Sequence, residues 1–410
     1  MRRFVVVLGL LCIPVLGWSS PWTFKDPIDI TEQVQPARFH HLDGAGRRHL
    51  ALSASQLAVV WEDDRSGDPQ VYLATKVVNQ EVFSKHTLLS SGDEAYEPSI
   101  AALETGGFVV AWEQDGQIWV RFIKNTMLLG EPVNLSRGSA TQVSLVQGPG
   151  NQTLALWASI EGQKQLIKAG VLTVDDGTII VAAVQTVASV ESPGYQAYPD
   201  GVFTLDGYLI AWEDRRAGHT RLLGSYLNLN GQFQHWFQLN EHRANLLTES
   251  ALAGGGSGVM RISLAARDRH IQAVWLDKRD PGSGYAVWGA YRDNGGTEFS
   301  PNHKIQDAMG SAVAQWHASI ISSLAGFVSV WDDSRESWAD ETESGDIFIS
   351  WQTNNGWSED LAVPGASGDG YQGSPVLVSD TTGDLHLVWI ERDDIASAGK
   401  LRYLHGTLNY

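Results

Sequence analysis

Seven short apolar strands, each ending in tryptophan, punctuate the chain: LAVVW to Trp61, FVVAW to Trp112, TLALW to Trp157, YLIAW to Trp212, IQAVW to Trp275, FVSVW to Trp331 and LHLVW to Trp389. The intervals are 51, 45, 55, 63, 56 and 58 residues, the size of one four-stranded propeller blade. A unit of that size cannot bury its own apolar faces, so neighbouring units must stack to share a core. This overrides the two or three domains that 410 residues would suggest at roughly 150 residues each.

The units parse in one order. Before the Trp strand lies another, as in EPSIAAL, QVSLVQ, RISLAA, WHASIIS and SPVLVS, separated from it by a Gly- or Asp-rich turn such as Glu104-Thr105-Gly106-Gly107 or Leu205-Asp206-Gly207. After the Trp come a polar turn, a third strand (VYLATK, IWVRFIK, LLGSYLN, AVWGAYRD, DIFISW) and a fourth (HTLLSS, PVNLS, FQLN, HKIQ, DLAV). Helical periodicity is absent, and β-branched and aromatic residues abound. The expected fold is all-β: a seven-bladed β-propeller of four-stranded antiparallel blades. The seventh unit starts at Ser374 and runs out after a third strand at 401–408, while residues 29–33 resemble the missing fourth. An N-terminal strand in the last blade would close the ring and pair the edges that an open ring exposes. The expected division is a signal peptide at 1–17, a short leader at 18–27 and one propeller domain at 28–410.

The signal peptide is read from Arg2 and Arg3, an apolar run from Phe4 to Leu16, and a cleavage point after Gly17. The run has 13 residues, is interrupted by Pro14, and falls short of the roughly 20 needed to span a bilayer. Cleavage would remove Cys12, the sole cysteine, leaving neither a disulfide nor a Cys-based zinc site. The expectation is an exported protein, periplasmic or extracellular, with no stable membrane span after cleavage, and a monomer. With 29 basic against 47 acidic side chains and a net charge of −18, the chain lacks the basic footprint of a nucleic-acid binder.

Four units extend the tryptophan into W-x-D-x-R: Trp61, Asp63 and Arg65; Trp212, Asp214 and Arg216; Trp275, Asp277 and Arg279; Trp331, Asp333 and Arg335. Units 2, 3 and 7 carry Gln114, Ser159 and Glu391 at the Asp position. With Trp61-Glu62-Asp63-Asp64-Arg65-Ser66-Gly67 followed by Val71-Tyr72 as the nearest match, the sequence resembles the secreted bacterial propeller repeats of the TolB-like and sialidase-like kind. The resemblance is at the level of the repeat and implies a fold rather than an activity. A local reason suffices for the motif: the Asp at the start of a turn accepts backbone N–H groups, and the Arg pairs with it or lies on the indole. The Trp and Asp positions are therefore read as scaffold, with the arginines mid-blade.

In an up-and-down meander the turns from strand 2 to strand 3 share one face of the disc with the connections into the next strand 1. That face carries the candidate ligand-binding residues Tyr96, Tyr195, Gln196, Tyr198, Arg216, Gln315, Trp316, His317, Tyr371 and Gln372. Aromatic faces suit the C–H surface of a pyranose, and amides and arginine suit its hydroxyls. A sialidase-like hydrolase would need an arginine cluster and a Tyr/Glu pair, but Arg261-Ile262-Ser263 is the nearest string to the sialidase Arg-Ile-Pro signature. A polysaccharide lyase would need a His or Tyr base and an Arg, roles open to His317, Tyr198, Tyr371 and Arg216. The acidic turn after Trp331 offers oxygen ligands for calcium at Asp333, Asp340, Glu343 and Asp346; otherwise no cofactor motif is present. The expected function is that of an exported, non-catalytic binding propeller engaging a glycan or cell-envelope protein through its loop-rich face. The alternatives are a glycan-active enzyme and a structural subunit of the envelope.

Overall fold

The structure, a computed structural model, describes residues 20–32, 39–124, 127–188, 194–216, 218–241, 258–279, 284–293, 296, 298–307, 313–335, 345–393 and 397–409. The signal-peptide reading at 1–17 lies outside them. Among the described residues no helix is long and apolar enough to cross a membrane.

Seven antiparallel sheets form the fold. Their innermost strands, Leu50–Ser53, Ala95–Ala102, Ala140–Gln147, Gln196–Thr204, Val259–Arg267, Gln315–Ser323 and Tyr371–Ser379, touch in succession, the last returning to the first. The ring is a seven-bladed propeller, as the repeat predicts. Each motif Trp lies on the second strand of its blade and is at most 1% exposed. The apolar side chains divide into seven clusters, each built from two adjacent blades and each holding one of these tryptophans. The repeat is thus explained by packing: every blade supplies the indole that fills the seam to its predecessor, and no blade owns a core.

Closure joins the chain ends. Trp22–Phe24 pairs with the last strand, Lys400–Leu408, in the register Trp22↔Leu408, and Ile28–Asp29 pairs with it at Tyr403 and Arg402. Ile30 continues with an N–H donated to Leu401 O. The closing strand therefore begins at Trp22, inside the segment expected to be a leader. Pro27, which has no N–H to give, sits at the break between the two paired pieces. The Trp22 indole seals the joint, donating to Gly383 O and standing edge-on to Trp351 at 6.0 Å.

Blade 1 departs from the other six. Its inner edge is split into His40–His41 and Leu50–Ser53, both paired with Gln56–Asp63. The residues between them enter the central channel as a turn of 3-10 helix, Ala45–Arg47, that touches the inner strands of blades 2 to 6. Arg48 reaches across to blade 4, where its Nε donates to Asp200 Oδ1 at 3.1 Å and its Nη2 to Asp200 Oδ2 at 3.1 Å. Gly46 has φ +65°, and a Cβ there would stand 2.3 Å from Asp200 Oδ1, so only glycine lets the plug seat this deeply. Beneath the plug an axial cavity of about 250 Å³ remains, bounded by Arg48 and by inner-strand residues such as Leu52, Val202 and Ile320.

Candidate functional site

The motif geometry follows from strand periodicity. Residues two apart share one face of a strand, so the Asp lies beside its Trp, and the indole Nε1 donates to Asp63 Oδ2 at 2.8 Å, to Asp277 Oδ2 at 3.1 Å and to Asp333 Oδ2 at 3.1 Å. In blade 2, Gln114 Oε1 takes the same bond from Trp112 at 3.0 Å. Each Arg returns its backbone N–H and its Nε to the carboxylate and lays its guanidinium on an aromatic ring: Arg65 on Tyr72 at 4.2 Å, Arg279 on Trp288 at 3.9 Å, Arg335 on Phe348 at 4.0 Å and Arg216 on Trp236 at 5.1 Å. Three of them also reach the fourth-strand side of the blade, through His86, Asn302 and Asp360. The four arginines tie strands within blades and do not converge at the axis, which takes Arg216 out of the mouth.

The mouth is built by a bulge near the start of the inner strand in blades 2 to 7. Register breaks occur between Tyr96 and Ser99, Thr141 and Ser144, Ala197 and Asp200, Met260 and Ser263, Trp316 and Ser319, and Gly373 and Val376. The bulged residues Glu97, Gln142, Tyr198, Arg261, His317 and Ser374 all have φ between +44° and +59°, and Arg47 in the plug has +54°. Left-handed backbone at a side chain with a Cβ costs about 1–3 kcal/mol per residue and persists only where neighbours hold it. In four of the six bulges the holder is the residue after the motif Trp of the preceding blade. The bulge amide of Glu97 donates to Glu62 Oε2 at 3.2 Å, that of Arg261 to Glu213 Oε1 at 2.8 Å, that of Ser374 to Asp332 Oδ1 at 3.1 Å, and that of Gln142 to Glu113. Blade 3 has Ala158 in this place, and the Tyr198 amide turns instead to Gln142 Oε1 at 2.9 Å.

These bulges and the plug bring charges together. Asp43, from the plug loop, faces His317 Nε2 and Arg47 Nη1, each at 3.5 Å; burial raises its pKa, but His317, Arg47, Arg261 and His49 outweigh that and hold it below the usual carboxylate value. His317 Nδ1 meets Asp332 Oδ1 at 2.7 Å, so both ring nitrogens face carboxylates. Arg261 stacks on Tyr198 with its guanidinium carbon 3.6 Å from the ring centre. Glu97 differs: its Oε2 is buried without a hydrogen-bond partner, and burial, then Glu113, push its pKa up to about 7 against the pull of Arg261. Burial first, then Asp332, pushes the Tyr371 hydroxyl upward too.

Of the residues singled out in the sequence, Tyr198, His317 and Tyr371 fall in this mouth. Tyr195 and Trp316 stand on its rim, each 39% exposed; Arg215 covers Tyr195 at 5.1 Å, and Tyr285 leans on Trp316 at 5.4 Å. Tyr96 bonds Glu94 at the blade 2 rim. The three glutamines are buried framework. Gln196 Oε1 accepts the Ile167 amide at 3.0 Å, Gln315 Nε2 donates to Val313 O at 2.7 Å, and Gln372 Nε2 donates to Asp369 O at 2.9 Å. Their shared register marks a seam between blades, because each amide nitrogen donates to a backbone carbonyl of the connection that precedes it, Gln196 Nε2 doing so to Ala188 O at 3.3 Å. For the calcium expectation, Asp340 and Glu343 lie outside the described residues. Asp333 has both oxygens taken by Trp331 and Arg335, and Asp346 accepts the Gly368 amide at 2.7 Å. Among the described residues no group of three or more metal-ligating side chains is assembled. Sequence reading missed Asp43 and Arg47 and gave no site role to Arg261 or Asp332, while Glu97 falls beside Tyr96 on the face the sequence pointed to. One usable signal was present: an acidic residue directly follows the motif Trp in four units, as Glu62, Glu113, Glu213 and Asp332.

Fold and mouth together define the chain as a seven-bladed β-propeller with a plugged axis. No protein-family model and no curated protein matches the sequence. Among solved structures it is similar to the polysaccharide lyase Uly1 (8% identity over 90% of this chain and 91% of that one, TM-score 0.58) and to a protein of unknown function from Dyadobacter fermentans (9% identity over 95% of this chain and 100% of that one, TM-score 0.50). A mutant of NanB sialidase from Streptococcus pneumoniae matches at 9% identity over 92% of this chain and 71% of that one, with TM-score 0.46. At such identities the likeness is one of fold alone.

Proposed function

We propose that the protein is an exported, non-catalytic binding propeller whose plugged mouth takes a glycan of the cell envelope. The observation that carries this is how the mouth spends its acid and base groups. Glu62, Glu113, Glu213 and Asp332 each hold a left-handed bulge amide of the next blade, and His317 is bracketed by two carboxylates. What remains presented is aromatic surface with cations on it: Tyr198 under Arg261, Tyr195 under Arg215, and Trp316 beside Tyr285. Such faces suit pyranose rings and their hydroxyls. Export is supported by Arg2, Arg3 and the apolar run up to Leu16, and kinship with the TolB-like and sialidase-like secreted repeats is part of the same proposal. A glycan array with the purified protein tests it: binding without turnover is expected, and an array without a single bound glycan contradicts it. Capture of an envelope protein instead would move the ligand to the other expected class.

A second reading, a glycan-active enzyme, is favoured by Glu97 alone. A carboxyl that titrates near neutrality in a mouth is what a general acid requires, and one similar structure is that of a polysaccharide lyase. Incubation with acidic polysaccharides, followed for unsaturated products and for new reducing ends, separates the two. Turnover abolished in Glu97→Gln establishes the enzyme.

A further inference from the structure

Lys76, near the end of the third strand of blade 1 (Gln70–Val77), borders a groove of about 610 Å³ between that blade and the segment that closes blade 7. The closing segment contributes Phe24 and Lys25, the turn after Lys76 contributes Asn79 and Glu81, and the last strand contributes Tyr403 and His405. The lysine is 4% exposed. Its Nζ donates to Val78 O at 2.8 Å and to Val77 O at 3.4 Å and lies 4.8 Å from the centre of the Tyr403 ring. No carboxylate among the described residues forms an ion pair with it. Burial, then the neighbouring Lys25, push its pKa down to about 8. Desolvation and a cationic neighbour are the two conditions that make a lysine nucleophilic near neutral pH.

The surroundings can move protons. Tyr403 OH and His386 Nδ1 are 2.7 Å apart, the His386 ring stacks on His405 with centres 5.1 Å apart, and His405 Nε2 meets Asp384 Oδ2 at 3.0 Å. His386 is fully buried, and its Nε2 has no hydrogen-bond partner, the nearest carboxylate oxygen being Asp380 Oδ2 at 3.8 Å.

We propose that this groove is a capture site for a small aldehyde, such as the open-chain form of a reducing sugar, held as an imine on Lys76. Once neutral, the amine has two N–H bonds and two carbonyl acceptors for them, Val77 O and Val78 O, which leaves its lone pair for a carbonyl carbon in the groove. The nitrogen attacks that carbon and a C–N bond forms. The former carbonyl oxygen then departs as water, carrying in net the two amine hydrogens, and C=N replaces C=O. Solvent in the groove carries the proton from nitrogen to the departing hydroxyl, and the Tyr403–His386 pair in the groove wall is the nearest proton-carrying pair to it. Neither oxidant nor metal is required. The charged and titratable groups facing the amine are Lys25 and Asp26 from the closing segment, Glu81 from the turn, Tyr403 and His405 from the last strand, and His386 behind them.

The test uses the full chain and glycolaldehyde with cyanoborohydride, which fixes any imine as a stable secondary amine, followed by mass-spectrometric peptide mapping. Lys76 is expected to be modified at least about 10-fold faster than the exposed Lys85, as an activated amine should be, with a rate that rises through a midpoint near pH 8. Modification of Lys76 at or below the rate of Lys85 overturns the proposal. The comparison is internal to the wild-type protein, so no variant has to fold, and its outcome is independent of what binds at the mouth.

Discussion

Arg48 spans the central channel and sets its guanidinium against Asp200 on the opposite side, with Nε and Nη2 each donating to a carboxylate oxygen at 3.1 Å. Asp200 also accepts the Leu264 amide at 2.7 Å, and Arg48 Nη2 donates onward to Gly201 O and Leu264 O. One residue pair therefore links blade 1 to blades 4 and 5 through the axis. The plug is a structural strut, and it makes the mouth a closed bowl instead of an open tube.

Removing one partner leaves a buried charge. Arg48→Met is expected to cost about 3–5 kcal/mol at neutral pH. Burial already raises the Asp200 pKa with Arg48 in place, so the loss should shrink as the pH falls and Asp200 takes a proton. The double variant Arg48→Met with Asp200→Asn should recover much of the loss. Denaturant titrations from neutral to acid pH check both; equal cost at every pH would contradict the strut.

Gly46→Ala brings a methyl against Asp200 and Ser144 at a left-handed backbone position. A loss of about 1–3 kcal/mol is expected from overpacking and strain, readable as a lowered thermal midpoint. An unchanged midpoint would mean that the plug is not seated as described.

Acid should weaken the fold through two buried histidines. Burial, with Arg47, pushes His49 down to about 3, and burial, with His405, pushes His386 down to about 4. Both folded pKa values lie below the unfolded value of about 6.5, so the unfolded chain binds more protons between these limits. The stabilisation is whole above pH 6.5 and is lost as the pH falls through about 4 for His386 and about 3 for His49, each tenfold difference in proton affinity between folded and unfolded chain being worth about 1.4 kcal/mol. His49→Met should flatten the slope of stability against pH in this window. A slope identical to wild type would remove His49 from the account.

The closing joint should depend on Trp22, which is 3% exposed. Trp22→Ala is expected to cost about 3–5 kcal/mol, whereas Trp316→Ala on the rim should stay within about 0.5 kcal/mol. Comparable urea midpoints for the two variants would place the N-terminal strand elsewhere.

The blade count was legible because the motif Trp is set by packing that recurs at every seam: Trp61 and Trp389 do the same job at opposite ends of the chain. The Asp–Arg pairs were legible as scaffold because their partners are two residues away. Gln196, Gln315 and Gln372 misled, because a shared register marks a shared surrounding without saying whether it faces solvent or a seam. The plug was hidden because residues 42–49 occupy the bulge position of blade 1 only once, and a loop seen once has no period. Glu97 and Arg261 belong to one ring only through bulges whose left-handed backbone leaves no mark in side-chain alternation.

The placement of the binding surface is tested most directly by measuring affinity for a glycan bound by the wild type in two pairs of variants. Arg261→Ala and Tyr198→Ala alter the mouth, while Leu205→Ser and Leu324→Ser alter turns on the opposite face. Loss of at least about 10-fold, or about 1.4 kcal/mol, in the mouth pair with unchanged affinity in the turn pair is the result expected. Full affinity in folded mouth variants, or loss confined to the turn variants, would contradict it.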